Sequence, residues 1–145
     1  MQSHATVAGL WICPGPRQSM MPMESARAVE NLGLEGDRHA KADSQRQVLL
    51  MEAETLEKLD LGMGDVKENI TTRGIALMSL PLGTRLRVGE AVLEITGECH
   101  PCSRMEDLRP GLLQEIGGQR GMLARVAQSG VIKMGDVITI ETPPT

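Results

Sequence analysis

The chain has no phenylalanine and no tyrosine, and a single tryptophan, Trp11. Its interior must therefore be filled by leucine, isoleucine, valine, alanine and ten methionines. The aromatic platforms on which single-stranded nucleic acids stack are missing. Lysine is also scarce, and fifteen basic residues face nineteen acids, for a net charge of −4. That balance argues against a nucleic-acid binder, whose affinity for the phosphate backbone rests on excess cations. No apolar run approaches the roughly twenty residues of a membrane span. The N-terminus lacks the basic start and apolar stretch of a secretory signal, so a cytoplasmic protein without a membrane partner is expected. Three cysteines, Cys13, Cys99 and Cys102, are an odd number, which fits a reducing compartment better than a disulfide framework.

What stands in place of lysine is arginine, eleven of the fifteen basic residues. A guanidinium grips phosphate or carboxylate through two parallel hydrogen bonds, so this bias points to an anionic ligand unless it is only a compositional habit. The length suits one domain over residues 1–145, with a core large enough to need no staples.

Along the chain, Thr6 to Cys13 predicts a strand closed by Pro14-Gly15-Pro16. Met23, Ala26, Val29 and Leu32 keep a helical spacing behind Ser25, a possible cap, and predict a short helix. Gly33 to Ala40 is a tight polar turn that could present Asp37 and His39 to a ligand. Arg46 to Met51 reads as a buried strand, and Glu52 to Leu59 as an acid-led helix. Val66 to Thr72 concentrates Glu68, Asn69, Thr71 and Thr72, either as ligand contacts or as the solvated positions of an edge strand. Gly83 to Ile95 and Gly130 to Ile140 each carry two short strands about a glycine–acid turn and predict hairpins, with Glu90 and Asp136 as structural turn residues. Between them, Gly111 to Ile116 predicts a helical turn and Gln119 to Val126 a strand. Pro143-Pro144-Thr145 reads as a terminal tail. The sum is a mainly β chain: a closed or partly open β-barrel with two or three short helices in the loops.

The chemistry concentrates at Ile95 to Arg104, where an alternating strand runs out into Cys99-His100-Pro101-Cys102-Ser103-Arg104. Cys102 is the candidate reactive atom and the candidate metal ligand. Flanking cations and a helix starting at Ser103 would favour its thiolate, although cysteine is equally at home as a small buried hydrophobe. Cys99 and Cys102 form a C-x-x-C pair, which opens a dithiol oxidoreductase reading. They supply only half of a structural zinc site, which Cys13, His39 or His100 would have to complete. A lone activated thiol serves soft-metal ligation or carries sulfane sulfur as a persulfide. Either use wants an anionic cofactor anchored by donors such as Arg46, Asn69, Thr71 and Arg120.

Gly36-Asp37-Arg38-His39, Arg46-Gln47-Val48, Glu68 to Gly74, Pro101-Cys102, Arg120-Gly121 and Gly130 to Asp136 occur in the order and spacing of the MOSC domain, the C-terminal domain of molybdenum cofactor sulfurases. The chain resembles the short, stand-alone bacterial branch of that family from about residue 6 to residue 141. The resemblance implies a barrel-like β fold and an association with the molybdenum cofactor (molybdopterin); pyridoxal phosphate binding is a further family association. It implies a sulfur carrier or molybdenum ligand at Cys102, and a site shaped by Asp37, His39, Arg46, Asn69 and Arg120. Expected partners are the cofactor or a sulfur donor protein. The alternative is a non-catalytic module that carries the cofactor or docks to a larger molybdenum enzyme. Longer relatives enclose the cofactor with an additional N-terminal barrel-like domain, for which this chain has no room.

Overall fold

A computed structural model describes residues 4–141. Eleven strands run in order: β1 Ala5–Ile12, β2 Met21–Pro22, β3 Ser25–Val29, β4 Gly33–Leu34, β5 Val48–Glu52, β6 Ile70–Arg73, β7 Arg85–Val88, β8 Ala91–Glu98, β9 Met122–Gln128, β10 Gly130–Lys133 and β11 Val137–Glu141. Three short helices interrupt them, α1 Ala53–Lys58, α2 Arg104–Leu108 and α3 Leu112–Glu115, with a 3₁₀ turn at Leu77–Ser79.

Seven strands close a barrel in the order β11-β7-β8-β9-β5-β6-β1, with β1 returning to β11. Closure removes the unpaired edges that an open sheet would leave. Only β5 and β6 are parallel, and the intervening stretch that contains α1 supplies the crossover such a pair requires. β2 extends β1, while β10, β3 and β4 form a separate three-stranded sheet.

The period of two along β5 sets up everything that follows. Val48 and Leu50 point into the barrel with Val7, Leu10, Ile70, Leu86, Leu93, Ile95 and Val126. Met51 belongs to a second apolar cluster outside the barrel, with Leu56 of α1, Val66, Met105 of α2, and Leu112 and Ile116 of the α3 segment. Full burial of each such Leu or Met side chain stabilises by about 1.5–3 kcal/mol. Two packed layers thus form without phenylalanine or tyrosine, one inside the barrel and one between its wall and the helices.

The barrel predicted from strand spacing is present and closed, with three short helices. Three local expectations are corrected. Met23 to Leu32 is not a helix: Ser25–Val29 is a strand whose buried Ala26 and Ala28 alternate with exposed Ser25 and Arg27. Its pairing with β10 outweighs the three-residue apolar spacing. Gly130 to Ile140 is not a hairpin either, because β10 pairs with β3 while β11 pairs with β7 and β1. The glycine–acid turn is real, since the Lys133 amide donates to the Asp136 carboxylate at 2.8 Å, but it is a corner between two sheets. The earlier pattern is a true hairpin, with Val88 opposite Ala91. Likewise β6 is not an edge strand but lies between β5 and β1. The tail at Pro143 to Thr145 lies outside the described residues. Among the described residues no helix is long and apolar enough to cross a membrane.

Candidate functional site

A cleft of about 360 Å³ lies on the outer flank of the barrel over the β5–β9 pair. Its floor includes Leu49 and Leu123, which face each other across the two strands. One wall is α2, contributing Arg104, Met105, Asp107 and Leu108. The loop before β6 contributes Asp65, Lys67 and Asn69. Cys99, His100 and Cys102 overhang from the end of β8, and Arg46, His39 and Arg120 complete the lining. The volume falls in the range of small-molecule sites.

The local folding that builds this cleft is explicit. The β8–β9 register shifts between Ile95 and Gly97, a bulge that bends the strand just before Cys99. The Cys99 amide then donates to the Gly121 carbonyl at 2.9 Å, tying the cysteine loop to the head of β9. Gly121 sits at φ +120°, and a Cβ there would collide with the Leu50 carbonyl, so glycine is required beside Arg120. On the helical wall, the Glu106 carboxylate accepts the Gly111 and Leu113 amides at 3.0 Å each and fixes α2 against α3. Arg109 donates to the Leu59 carbonyl at 2.6 Å and pairs with Glu115.

Cys102 is exposed, whereas Cys99 and Cys13 are buried, and all three are free thiols. The helix following Cys102 has only five residues, so the aligned-dipole help expected from it is small. Cys13 points away, with its thiol donating to the Gly15 carbonyl at 3.1 Å.

Arg120 is the most informative residue. It is 6% exposed, donates one bond from Nη2 to the Val66 carbonyl at 2.7 Å, and leaves Nε and Nη1 buried without a partner. An unmet buried donor typically costs about 1–3 kcal/mol, more when charged. Arg120 lines the cleft while these two donors, like the unmatched Glu68 Oε1, are closed to solvent, and an oxyanion that reached them would satisfy the fork.

The arginines divide into two groups. Arg27, Arg73, Arg85, Arg87, Arg109 and Arg125 each pair with a carboxylate. Among the described residues, the arginines without such a pair are Arg17, Arg38, Arg46, Arg104 and Arg120. Every one lines this cleft or a small adjoining cavity that shares His39, Lys67 and Arg104 with it. Arg17 and Lys67 also hold positive φ, at 60° and 66°. They are the only described residues other than Gly, Asn and Asp to do so, and such strain gathers at functional sites.

The remaining expected site residues divide. Asp37 is buried outside the cleft lining and accepts the Cys13 amide at 2.7 Å and the His39 amide at 3.2 Å, with the His39 ring 3.6 Å away. Burial pushes its carboxyl up, but the hydrogen bonds from the His39 ring and the two amides, with the His39 charge, outweigh burial. They hold it below the ordinary carboxylate value. Asp37 therefore positions His39. Asn69 lines the cleft, yet its amide is spent on backbone: Oδ1 accepts the Leu49 amide at 3.0 Å and Nδ2 donates to the Trp11 carbonyl at 3.3 Å. Thr71 is buried away from the cleft, donating to Glu68 at 2.8 Å and accepting from the Trp11 indole at 3.1 Å. Sequence reasoning did not single out Lys67 or Arg17, whose loops carry no motif. Among the described residues, no group of three or more His, Cys, Asp and Glu side chains could hold a metal ion.

Comparison with known proteins bears on this site. The MOSC domain family model matches residues 35–139. Among solved structures, the YuaD protein of Bacillus subtilis superposes with a TM-score of 0.78 at 22% identity, covering 94% of each chain. YiiM of Geobacillus stearothermophilus gives 0.78 at 18% identity, over 95% of this chain and 75% of that one. YiiM of Escherichia coli gives 0.69 at 17%, over 100% and 72%. At these identities the likeness is one of fold. No curated protein matches in sequence.

Proposed function

The chain belongs to the MOSC domain family, and from that premise we propose that its cleft holds the phosphate-bearing molybdenum cofactor, with Cys102 carrying sulfur as a persulfide or ligating molybdenum. The observation that carries this reading is Arg120, a buried guanidinium with two unspent donors that lines the same cleft as an exposed thiol. A doubly charged phosphate ester meets the first need, and a soft metal or sulfane sulfur meets the second.

The fit is chemical as well as spatial. No protein cage for a bare ion exists among the described residues, so a metal here would arrive already held by its own organic ligand. Arg120 would grip the phosphate, with Arg46, Lys67 and Arg104 adding charge at the rim. Leu49 and Leu123 offer an apolar floor for a planar ring. When bound, the cofactor supplies redox or sulfur chemistry at its metal; the chain supplies orientation, anchorage and one thiol. A sulfur donor protein would reach Cys102 because that residue is exposed.

The test is metal analysis with intact mass on protein from a molybdenum-replete host. Wild type should carry molybdenum, a persulfide on Cys102 or the disulfide left once that sulfur departs, and Cys102→Ser should show none of these while unfolding at the same temperature. Equal loading of the two proteins refutes the proposal. The docking-module alternative predicts that equality, with partner binding unchanged.

A further inference from the structure

The reading above uses Cys102 and leaves Cys99 idle, although both line the same cleft. Cys99 is 5% exposed and is held through its amide, which donates to Gly121; Cys102 is exposed and is held through its carbonyl, which accepts the Met105 amide at 2.9 Å. Between these anchors lie His100 and Pro101, outside regular structure and donating no backbone hydrogen bond. No backbone hydrogen bond donated from the linker has to break for it to rearrange. Residues 99–102 hold neither a turn nor a bend, so a disulfide here requires this stretch to fold into a tight turn that brings the Cα atoms within about 4.4–6.8 Å. The third thiol, Cys13, is engaged with its own loop and lines only the adjoining cavity.

We infer that Cys99 is the resolving thiol for a sulfur carried on Cys102. This rests on the sulfur-carrier form of the proposed function. Once a sulfane-sulfur donor has loaded Cys102, the Cys99 sulfur attacks Cys102 Sγ. The Cys99–Cys102 bond forms, and the bond to the terminal sulfur breaks. That sulfur leaves with the electron pair and takes the proton given up by Cys99, so it departs as hydrogen sulfide. The two cysteine sulfurs are oxidised by one electron each and the sulfane sulfur is reduced by two, so no outside oxidant is needed. A dithiol reductant then restores both thiols. Arg46, Arg104 and Arg120 line the cleft into which the sulfur is released, a setting that favours its hydrosulfide anion.

The experiment treats the full chain, reduced and free of oxygen, with one equivalent of inorganic tetrasulfide, reads sulfide before desalting as the excess over Cys102→Ser treated alike, which accounts for the polysulfide left by loading, and takes intact mass after desalting. Wild type should end about 2 Da lighter, release about one equivalent of sulfide, and yield a peptide joining Cys99 to Cys102. Cys99→Ser should end about 32 Da heavier and release none. Cys99→Ala should match it, which controls for a polar group at a buried position. If wild type stays as heavy as Cys99→Ser and no sulfide appears, the relay is refuted while the carrier reading stands. A disulfide mapped to Cys13 also refutes it. If Cys99→Ser and Cys99→Ala gain no mass, the carrier reading itself fails.

Discussion

Two sets of arginines on this molecule follow opposite rules. Those at positions 27, 73, 85, 87, 109 and 125 each meet a carboxylate, mostly as exposed pairs between neighbouring strands or short loops. Such pairs generally contribute less than about 1 kcal/mol. Those at positions 17, 38, 46, 104 and 120 meet none, and they crowd around one cleft and its side cavity. In a chain with an excess of acids, that segregation costs stability through like-charge repulsion and, at Arg120, through unmet buried donors. The first set serves the scaffold; under the proposed function the second receives an anion from outside.

Substitutions can break this contrast. The largest effect is expected from Gly121→Ala, which drives a methyl group into the Leu50 carbonyl at a left-handed position and displaces both Arg120 and the Cys99 tether. It should lower stability in chemical denaturation by about 1–3 kcal/mol and abolish anion binding. Next, Arg120→Met should weaken inorganic phosphate binding by about tenfold or more in calorimetry, the equivalent of one charge-assisted hydrogen bond. Its unfolding midpoint without phosphate should move little, because removal of the two unmet donors offsets the loss of the bond to the Val66 carbonyl. A smaller, salt-sensitive loss of a few-fold is expected for Arg46→Ala at the exposed rim. Arg85→Ala, from the paired set, should leave phosphate affinity unchanged. If Arg85→Ala weakens phosphate as much as Arg46→Ala, the contrast is false.

Acid titration sharpens it in a different way. The folded state holds the Asp37 carboxyl below its ordinary value, so the unfolded chain binds a proton there first as pH falls. The stability Asp37 supplies is complete above the ordinary carboxylate range and is lost as pH drops through that range toward the lower folded value. Asp37→Asn should flatten the acid limb of the stability curve. An unchanged acid limb would mean that the network from Cys13 through Asp37 to His39 carries no weight.

Much of the architecture was legible because strand period and turn chemistry are local. The glycine–glutamate turn at Gly89-Glu90 announces its hairpin correctly. The glycine–aspartate turn at Gly135-Asp136 looks the same in sequence yet joins two sheets, since partner choice depends on strands about fifty and about a hundred residues away. Ala26 misled for a related reason: a small residue fits either period, and only the pairing with β10 decides. At the site, Cys102, His39, Arg46 and Arg120 stood out by residue type and do line one cleft. Asn69 and Thr71 also stood out, but their polar atoms serve the backbone and Glu68. Lys67 and Arg17 carry no motif, and their strained backbone is visible only after folding.

The measurement that bears most directly on the unpaired set is molybdenum per chain in protein purified from a molybdenum-replete host, for wild type, Arg85→Ala and Arg120→Met. The account predicts comparable loading in the first two and its loss in the third, with all three folded. Equal loading in Arg120→Met and wild type would contradict the claim that this buried guanidinium holds the cofactor.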